Sequence, residues 1–441
     1  MRARPDPRRG RAMITGILAG GGRLPLMIAQ SLAERGEGVH IVAITGEADP
    51  DVARYPHTWV DWGQIGRMLA ALEGAGARQL VIVGTVRRPD LRRIRPDLGF
   101  FRSLPSILAL LAGGDDAVLT RVVRFFEGHG LRVVGVHEVV PELVAGTGRL
   151  GRVGLEDADL ADAGLGFAVR RALAAVDTGQ AVAVAGGRVL AIEGPEGTDA
   201  MLVRTAALAG PDAVHSRRRG VLAKGPKPGQ ELRVDMPAVG PRTVAGAARA
   251  GLAGVVVEAG AVLLLDPAGT IAAADAAGVG LYGLAWPRPG PVPVPAPAHA
   301  GPVPAGGRVI GRRRPGRRDS ADIAVGLAAV EGLAPYATGA AAVVVRRFIL
   351  AIEAAEGTEA MLERARGLRQ WGLRWRRAGA LVRRAGPGPD APAPAALLRR
   401  AAAQELGGVA LTGSAEALGP YEEAARLADD LGLFLVLCQG A

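Results

Sequence analysis

Two lysines, Lys224 and Lys227, stand three residues apart in Ala223-Lys224-Gly225-Pro226-Lys227-Pro228-Gly229-Gln230, and every other basic residue among the 53 lysines and arginines is arginine. An ammonium is a compact, strongly hydrated point charge on a flexible stem, able to meet a phosphate oxygen at close range, whereas a guanidinium presents a planar fork. Confinement of lysine to this stretch suggests a requirement for lysine as such. Pro226, Pro228 and Gly229 forbid a helix and predict a stiff loop after the short apolar strand 220–223. Asp235 follows Leu232-Arg233-Val234 and is held by Met236-Pro237. Two cations and a carboxylate on a rigid loop suit an anionic, metal-bound substrate. The same stretch is equally readable as a solvated turn with incidental charges.

A second concentration of oxygen ligands is Glu193-Gly194-Pro195-Glu196-Gly197-Thr198-Asp199. Helix capping accounts for Thr198 and Asp199 but leaves Glu193 and Glu196, three apart at a strand exit, unexplained. Such a cluster suits Mg²⁺ or Mn²⁺. Gly20-Gly21-Gly22, between a strand and a helix, offers backbone N–H groups to a phosphate or serves as a plain turn. It is not the spaced dinucleotide fingerprint, and no acid ends the second strand, so a dinucleotide oxidoreductase is the weaker alternative. Asp115 and Asp116, after Gly113-Gly114, read as a helix N-cap before a metal site.

The elements that must position these residues follow from periodicity. Strands at 15–19, 39–44, 80–84 and 131–136, with helices at 24–35 and 64–74, predict a Rossmann-like parallel sheet with right-handed crossovers. The segment 85–97 then falls at the carboxyl end of the third strand, where open α/β sheets bind ligands. Beyond it, a helix over 159–176 and a hairpin of 181–184 with 189–192 open a second α/β domain. The strand 220–223, helices at 244–250 and 270–277, and strands at 255–258, 262–265 and 280–284 complete it. The expected layout is a basic tail at 1–13 and a Rossmann-like domain at 14–145. A catalytic α/β domain at 150–286, a Pro/Arg-rich linker at 287–319 and a further domain at 320–441 follow. Met13 is an alternative start.

A chain of 441 residues is too long for one ordinary core. One cysteine, Cys438, excludes an internal disulfide, and six histidines without a Cys/His cluster disfavour zinc, so the expected compartment is the cytoplasm. Of the net charge of +10, residues 1–13 carry five arginines and one aspartate, and 308–319 carry six arginines and one aspartate. The remainder is near neutral, which argues against a nucleic-acid face. Two flexible cationic segments would serve as solubilising tails or attract an anionic membrane.

Residues 341–362 repeat 181–202 at a constant offset of 160, with twelve of twenty-two positions identical, and Asp322 and Gly326 match Asp162 and Gly166. The copy keeps the glutamates as Glu353 and Glu356. It places Arg383 near the position of Lys224 and has no counterpart of Asp235. It reads as a catalytically dead duplicate, a scaffold able to pack on the genuine domain as a pseudo-dimer.

Taken in order, several motifs resemble one family: Ile17-Leu18-Ala19-Gly20-Gly21-Gly22-Arg23-Leu24-Pro25; Gly84-Thr85-Val86-Arg87-Arg88-Pro89; Gly114-Asp115-Asp116; Gly179-Gln180-Ala181-Val182; Glu193 with Glu196-Gly197-Thr198-Asp199; Lys224 to Gln230; and Arg233-Val234-Asp235-Met236-Pro237. Together they are similar to the LpxI-type UDP-2,3-diacylglucosamine pyrophosphatases of lipid A biosynthesis, over residues 14–284. The resemblance implies a two-domain α/β fold and Mg²⁺-dependent hydrolysis of UDP-2,3-diacylglucosamine to UMP and 2,3-diacylglucosamine 1-phosphate. It also implies a lipid-linked nucleotide-sugar partner, no nucleic acid, peripheral contact with the inner membrane, and a pseudo-dimer or homodimer. Residues and resemblance together assign Asp235, Lys224, Lys227 and Glu193 to catalysis and Asp235, Glu193 and Glu196 to Mg²⁺ (or Mn²⁺). Gly20, Gly21, Gly22, Arg87, Gln180, Thr198 and Gln230 are assigned to substrate, with the site expected in the cleft between the first two domains. Residues 287–441 depart from the family pattern.

Overall fold

The computed structural model describes residues 14–86, 96–97, 99, 115–209, 218–286, 307–368, 377–385, 392–413 and 421–439. The side chains of 115–117, 209 and 439 lie outside that description. The chain divides into two compact units, and the division does not follow chain order.

The first unit is built on five parallel strands, β1 (Ile14–Ala19), β2 (Gly38–Ile44), β3 (His57–Val60), β4 (Ala77–Val83) and β5 (Arg132–Val133), in the order β3-β2-β1-β4-β5. Helices Leu24–Glu34 and Ile65–Ala75 make crossovers, the latter ending on Gly76 at φ +78°. Both sheet faces are covered. Ile17, Ile41 and Val81 pack on one side with Ile28 and Leu32; Leu18, Val42 and Leu80 pack on the other with Leu72 and Phe126. This is the Rossmann-like sheet the periodicity predicts. The strand 57–60, short and flanked by Pro56 and Asp61, gives no periodic signal, and the predicted strand 131–136 keeps ladder pairing at Arg132 and Val133 before a helical turn at Val136–Val139.

From residue 147 to the linker the chain forms eight strands: β6 (Gly148–Arg149), β7 (Ala181–Ala185), β8 (Arg188–Ile192), β9 (Val221–Lys224), β10 (Ala238–Val239), β11 (Gly254–Glu258), β12 (Leu263–Leu264) and β13 (Gly280–Leu284). Six make a sheet in the order β6-β13-β11-β9-β7-β8. The other two, β10 and β12, pair in parallel and belong with residues 230–240 and 259–268 to the first unit, where Leu263 is buried with Ile17 and Val81. The expected catalytic domain at 150–286 is therefore split: the segment bearing Asp235 packs with the Rossmann-like sheet, because Val234 and Met236 insert into that unit's two apolar clusters.

The second unit also contains the repeat, with strands β14 (Arg308–Ile310), β15 (Ala341–Val345), β16 (Phe348–Ile352), β17 (Ala380–Arg384), β18 (Gly408–Gly413) and β19 (Phe434–Gln439) in the order β14-β19-β18-β17-β15-β16, the same topology as the first copy. The copy thus starts near residue 308 instead of 320. The last part of the expected linker holds its first strand and the start of helix Arg317–Gly332. Arg312 N–H donates to Asp429, as Arg152 N–H does to Asp275. The second cationic segment is folded, although Arg308, Arg312, Arg314, Arg317 and Arg318 remain exposed on it. In each copy a buried aspartate accepts both amides of the hairpin turn, Asp162 from Gly186 and Gly187, and Asp322 from Arg346 and Arg347. This explains why both aspartates persist.

The two copies share one core. Val169, Leu173, Val182, Val184 and Ile192 of the first lie in the same buried cluster as Ile323, Leu333, Val344 and Ile352 of the second. Among the described residues no helix is long and apolar enough to cross a membrane. Leu173, fully buried in the shared core, tests that sharing. Leu173→Ala should destabilise the unit by about 2–5 kcal/mol and lower hydrogen-exchange protection in β7 and β15 alike. Loss confined to β7 would refute the shared core.

Candidate functional site

Lys224 is the last residue of β9 instead of the first of a loop. Its Cα partners are Ala181 on one side and Val257 on the other, so its side chain starts from the centre of a sheet and is buried. The ammonium Nζ donates to Thr198 Oγ1 at 2.8 Å, and that hydroxyl donates to Glu193 Oε1 at 3.0 Å. Glu193 leaves β8 and Thr198 sits in the first turn of helix Gly197–Ala209, so a hairpin exit and a helix start bring both to the strand carrying the lysine. Glu193 Oε2 is buried with no hydrogen-bond partner among the described residues.

Burial raises the Glu193 pKa above the ordinary glutamate range, opposed by Lys224 and by the Thr198 hydrogen bond. Burial likewise lowers the Lys224 pKa, opposed chiefly by Glu193. Each group's charge favours the charged form of the other and opposes burial, which favours neutrality in both.

A third cation escaped the sequence reading. Arg170, on helix Asp157–Ala172, is only 4% exposed. Its Nη2 donates to the Pro226 carbonyl, and its Nη1 lies 4.0 Å from the buried carboxylate of Glu258. Burial pushes its pKa down to about 10, against the pull of Glu258 and Glu193. Gly225 is required between them, since a Cβ there would meet Arg170 Nη1 at 2.8 Å and Glu258 Oε2 at 2.9 Å. Gly225 N–H donates to the Gln180 carbonyl at 3.1 Å, so Gln180 holds the loop through its main chain. Lys227, just after the Gly225-Pro226 step, forms an ion pair with Asp177 at 2.7 Å. The repeat does not preserve Arg170 or Glu258. Residue 330, the counterpart of Arg170 at the same offset, is Val330, and the ladder position matching Glu258 is Thr412.

The register settles the counterpart of Lys224. Ala181 pairs with Lys224 as Ala341 pairs with Arg383, and Arg383 donates to Thr358 and Glu353 as a closed copy of the same triad.

Other expected residues stand elsewhere. Glu196 is engaged elsewhere through one oxygen: its Oε1 accepts from Arg204 at 2.7 Å and Arg364 at 3.3 Å, while its Oε2 is buried with no hydrogen-bond partner among the described residues. That pairing explains why the copy retains Glu356. Asp235 lies in the first unit, where Gln230 Nε2 donates both to its carboxylate and, at 2.9 Å, to its main-chain oxygen. The glycine turn is not an open amide cradle. Gly20 N–H donates to Val83 O at 2.9 Å, and Gly21 N–H to Thr85 O at 2.7 Å in an antiparallel bridge just beyond the parallel β1–β4 ladder. Glycine is needed there for close approach, because a Cβ on Gly20 would meet Thr85 O at 2.6 Å. Arg87 and the side chains of Asp115 and Asp116 lie outside the described residues. Among the described residues no three Asp, Glu, His or Cys side chains converge as a ready-made metal cage.

These features define an α/β protein with a Rossmann-like unit and a duplicated second domain. The LpxI N-terminal domain matches residues 14–143, and the LpxI C-terminal domain matches twice, at 146–282 and 306–436. The UDP-2,3-diacylglucosamine pyrophosphatase LpxI of Caulobacter vibrioides is 42% identical over 272 residues, 61% of this chain and 96% of that relative. The chain belongs to the LpxI family.

The electrostatic coupling has a sign that can be measured. Lys224 lowers the Glu193 pKa, so Lys224→Met should move the Glu193 carboxyl titration to higher pH than in the unaltered protein. Infrared difference spectra against Glu193→Gln would read this, and an unmoved titration would show that the two groups are uncoupled.

Proposed function

We propose that the chain hydrolyses the pyrophosphate bond of UDP-2,3-diacylglucosamine, releasing UMP and 2,3-diacylglucosamine 1-phosphate for lipid A synthesis, with Mg²⁺ or Mn²⁺ as cofactor. The observation that carries this reading is the buried Lys224–Thr198–Glu193 relay, with an unpartnered carboxylate oxygen, in a member of the LpxI family.

Lys224 and Lys227 are assigned to the non-bridging phosphate oxygens, where ammonium groups neutralise charge as it builds in the transition state. Arg170 positions their loop through the Pro226 carbonyl. Thr198 fixes the Glu193 rotamer and the ammonium direction together. Glu193 Oε2 fits a cation, being a buried oxygen of a carboxylate that ionises more readily beside positive charge. Asp235, oriented by Gln230, is assigned as a further metal carboxylate and remains the residue whose loss should be most damaging. Glu196, occupied by two guanidinium groups, is not assigned to metal. A bound divalent ion would polarise the phosphoryl oxygens toward attack by water. Water adds to phosphorus, the bridging P–O bond breaks, and the two phosphate monoesters leave. Because the substrate carries acyl chains, the reaction is placed at the cytoplasmic face of the inner membrane, a location supported by the exposed arginines of 308–318.

Purified protein should release UMP from the lipid nucleotide with Mg²⁺ and lose that activity with a chelator. Asp235→Ala should reduce the rate by roughly a hundredfold or more. Wild-type UMP release by Asp235→Ala would overturn the assignment.

A further inference from the structure

Glu193 and Thr198 stand at the two ends of one turn, residues 193–198, and the middle of that turn is held by the second copy. Glu196 Oε1 accepts from Arg204 Nη2 of its own copy at 2.7 Å and from Arg364 Nη1 of the repeat at 3.3 Å. The arrangement is reciprocal: Glu356 Oε1 accepts from Arg364 Nη2 at 2.6 Å and from Arg204 Nη1 at 3.5 Å. Each arginine also donates to its own strand end, Arg204 to the Ile192 carbonyl and Arg364 to the Ile352 carbonyl. A contact in which residue i of one copy meets j of the other, and j meets i, is the signature of an isologous interface. Here both halves belong to one chain.

Four charges summing to zero are buried in this cluster, with side-chain exposures of 8% for Glu196, 3% for Glu356, 14% for Arg204 and 12% for Arg364. Two carboxylates bracketing the same guanidinium repel one another unless both guanidiniums are present. The backbone is walled in as well. Ala355 N–H donates to Leu190 O at 3.2 Å, and a Cβ on Gly194 would meet Leu350 O at 3.3 Å.

The copy keeps the turn ends as Glu353 and Thr358 and keeps the interface charges, but loses the groups around the lysine loop. Arg170, Lys224 and Glu258 became Val330, Arg383 and Thr412, whereas Glu356 and Arg364, which face the catalytic copy, preserve Glu196 and Arg204. We propose that the C-terminal copy is a built-in partner subunit whose Arg364 and Glu356 are positioning residues, holding the 193–198 turn so that Glu193 and Thr198 meet Lys224. The proposal rests on the functional reading above for its catalytic consequence, and on the interface alone for its structural one.

The full-length double variant Arg364→Met/Glu356→Gln removes the repeat's two charges together and leaves the Arg204–Glu196 pair intact. Its amides at 193–198 should exchange about tenfold faster while β9 and β11 stay protected. Its kcat for UMP release should fall about tenfold with KM within about twofold. Arg364→Lys, which keeps the charge without the fork, should fall between; if the double variant does not fold, this single variant reads the same quantities. A folded variant with unchanged protection at 193–198, or with faster exchange there and unchanged kcat, would overturn the proposal. Absence of UMP release from the unaltered chain would count against the functional reading instead, and leaves the exchange measurement as the test of positioning.

Discussion

An apolar hairpin face cannot be left in water, and the second unit is organised by how that face is covered. Val182, Val184 and Ile192 on β7 and β8, with Val169 and Leu173 from the adjoining helix, form a patch that the first copy's own elements do not enclose. The second copy presents the equivalent patch, and the two close on each other. Once that apolar contact exists, the polar groups at its edge must be satisfied, and the Glu196, Glu356, Arg204 and Arg364 cluster does this with reciprocal charges. The hydrophobic effect supplies the driving force, and the charges fix the orientation in which the copies meet.

The relay next to that interface depends on low solvent access. A carboxylate and an ammonium removed from water each favour neutrality; the charge of each opposes that tendency in the other, and Thr198 joins them at hydrogen-bond distance. Arg170 and Glu258 form a second buried charge pair, 4.0 Å apart, against Gly225. The loop 225–227 is thus anchored by a charge pair, a main-chain bond to Gln180 and two prolines, an arrangement that spends little on reorganisation when an anion arrives.

Much of this was legible in residue order. Alternation and apolar runs placed β1, β2, β4, β7, β8, β11 and β13, and the offset of 160 exposed the duplication. The restriction of lysine to positions 224 and 227 pointed to a loop that meets an anion, and the burial of Lys224 at the end of β9 became visible in the sheet pairing. Three things were not legible. Arg170 sits inside an ordinary amphipathic helix, where one arginine among several carries no pattern, and its meaning lies in a contact with Pro226 fifty-six residues away. Glu196 has the spacing of a metal ligand, and nothing local reveals that its partner, Arg364, comes from the distant copy. The glycines at 20 and 21 have the composition of a phosphate cradle, but their amides are taken by Val83 and Thr85, across a strand pairing that composition does not encode.

The split of 230–240 and 259–268 from their sequence neighbours bears on how the protein is made. The Rossmann-like unit begins at Ile14, yet its core is completed by Leu263, with Met236 packed against it. A ribosome extending the chain by about 5–20 residues per second needs on the order of ten seconds to travel from residue 146 to residue 263. During that interval the cluster around Ile17 and Val81 lacks Leu263 and Met236, and its completion must wait for β7 and β9 to be synthesised. Vectorial folding in simple domain order is therefore closed to this polypeptide, and its early intermediates are the species most in need of chaperone protection.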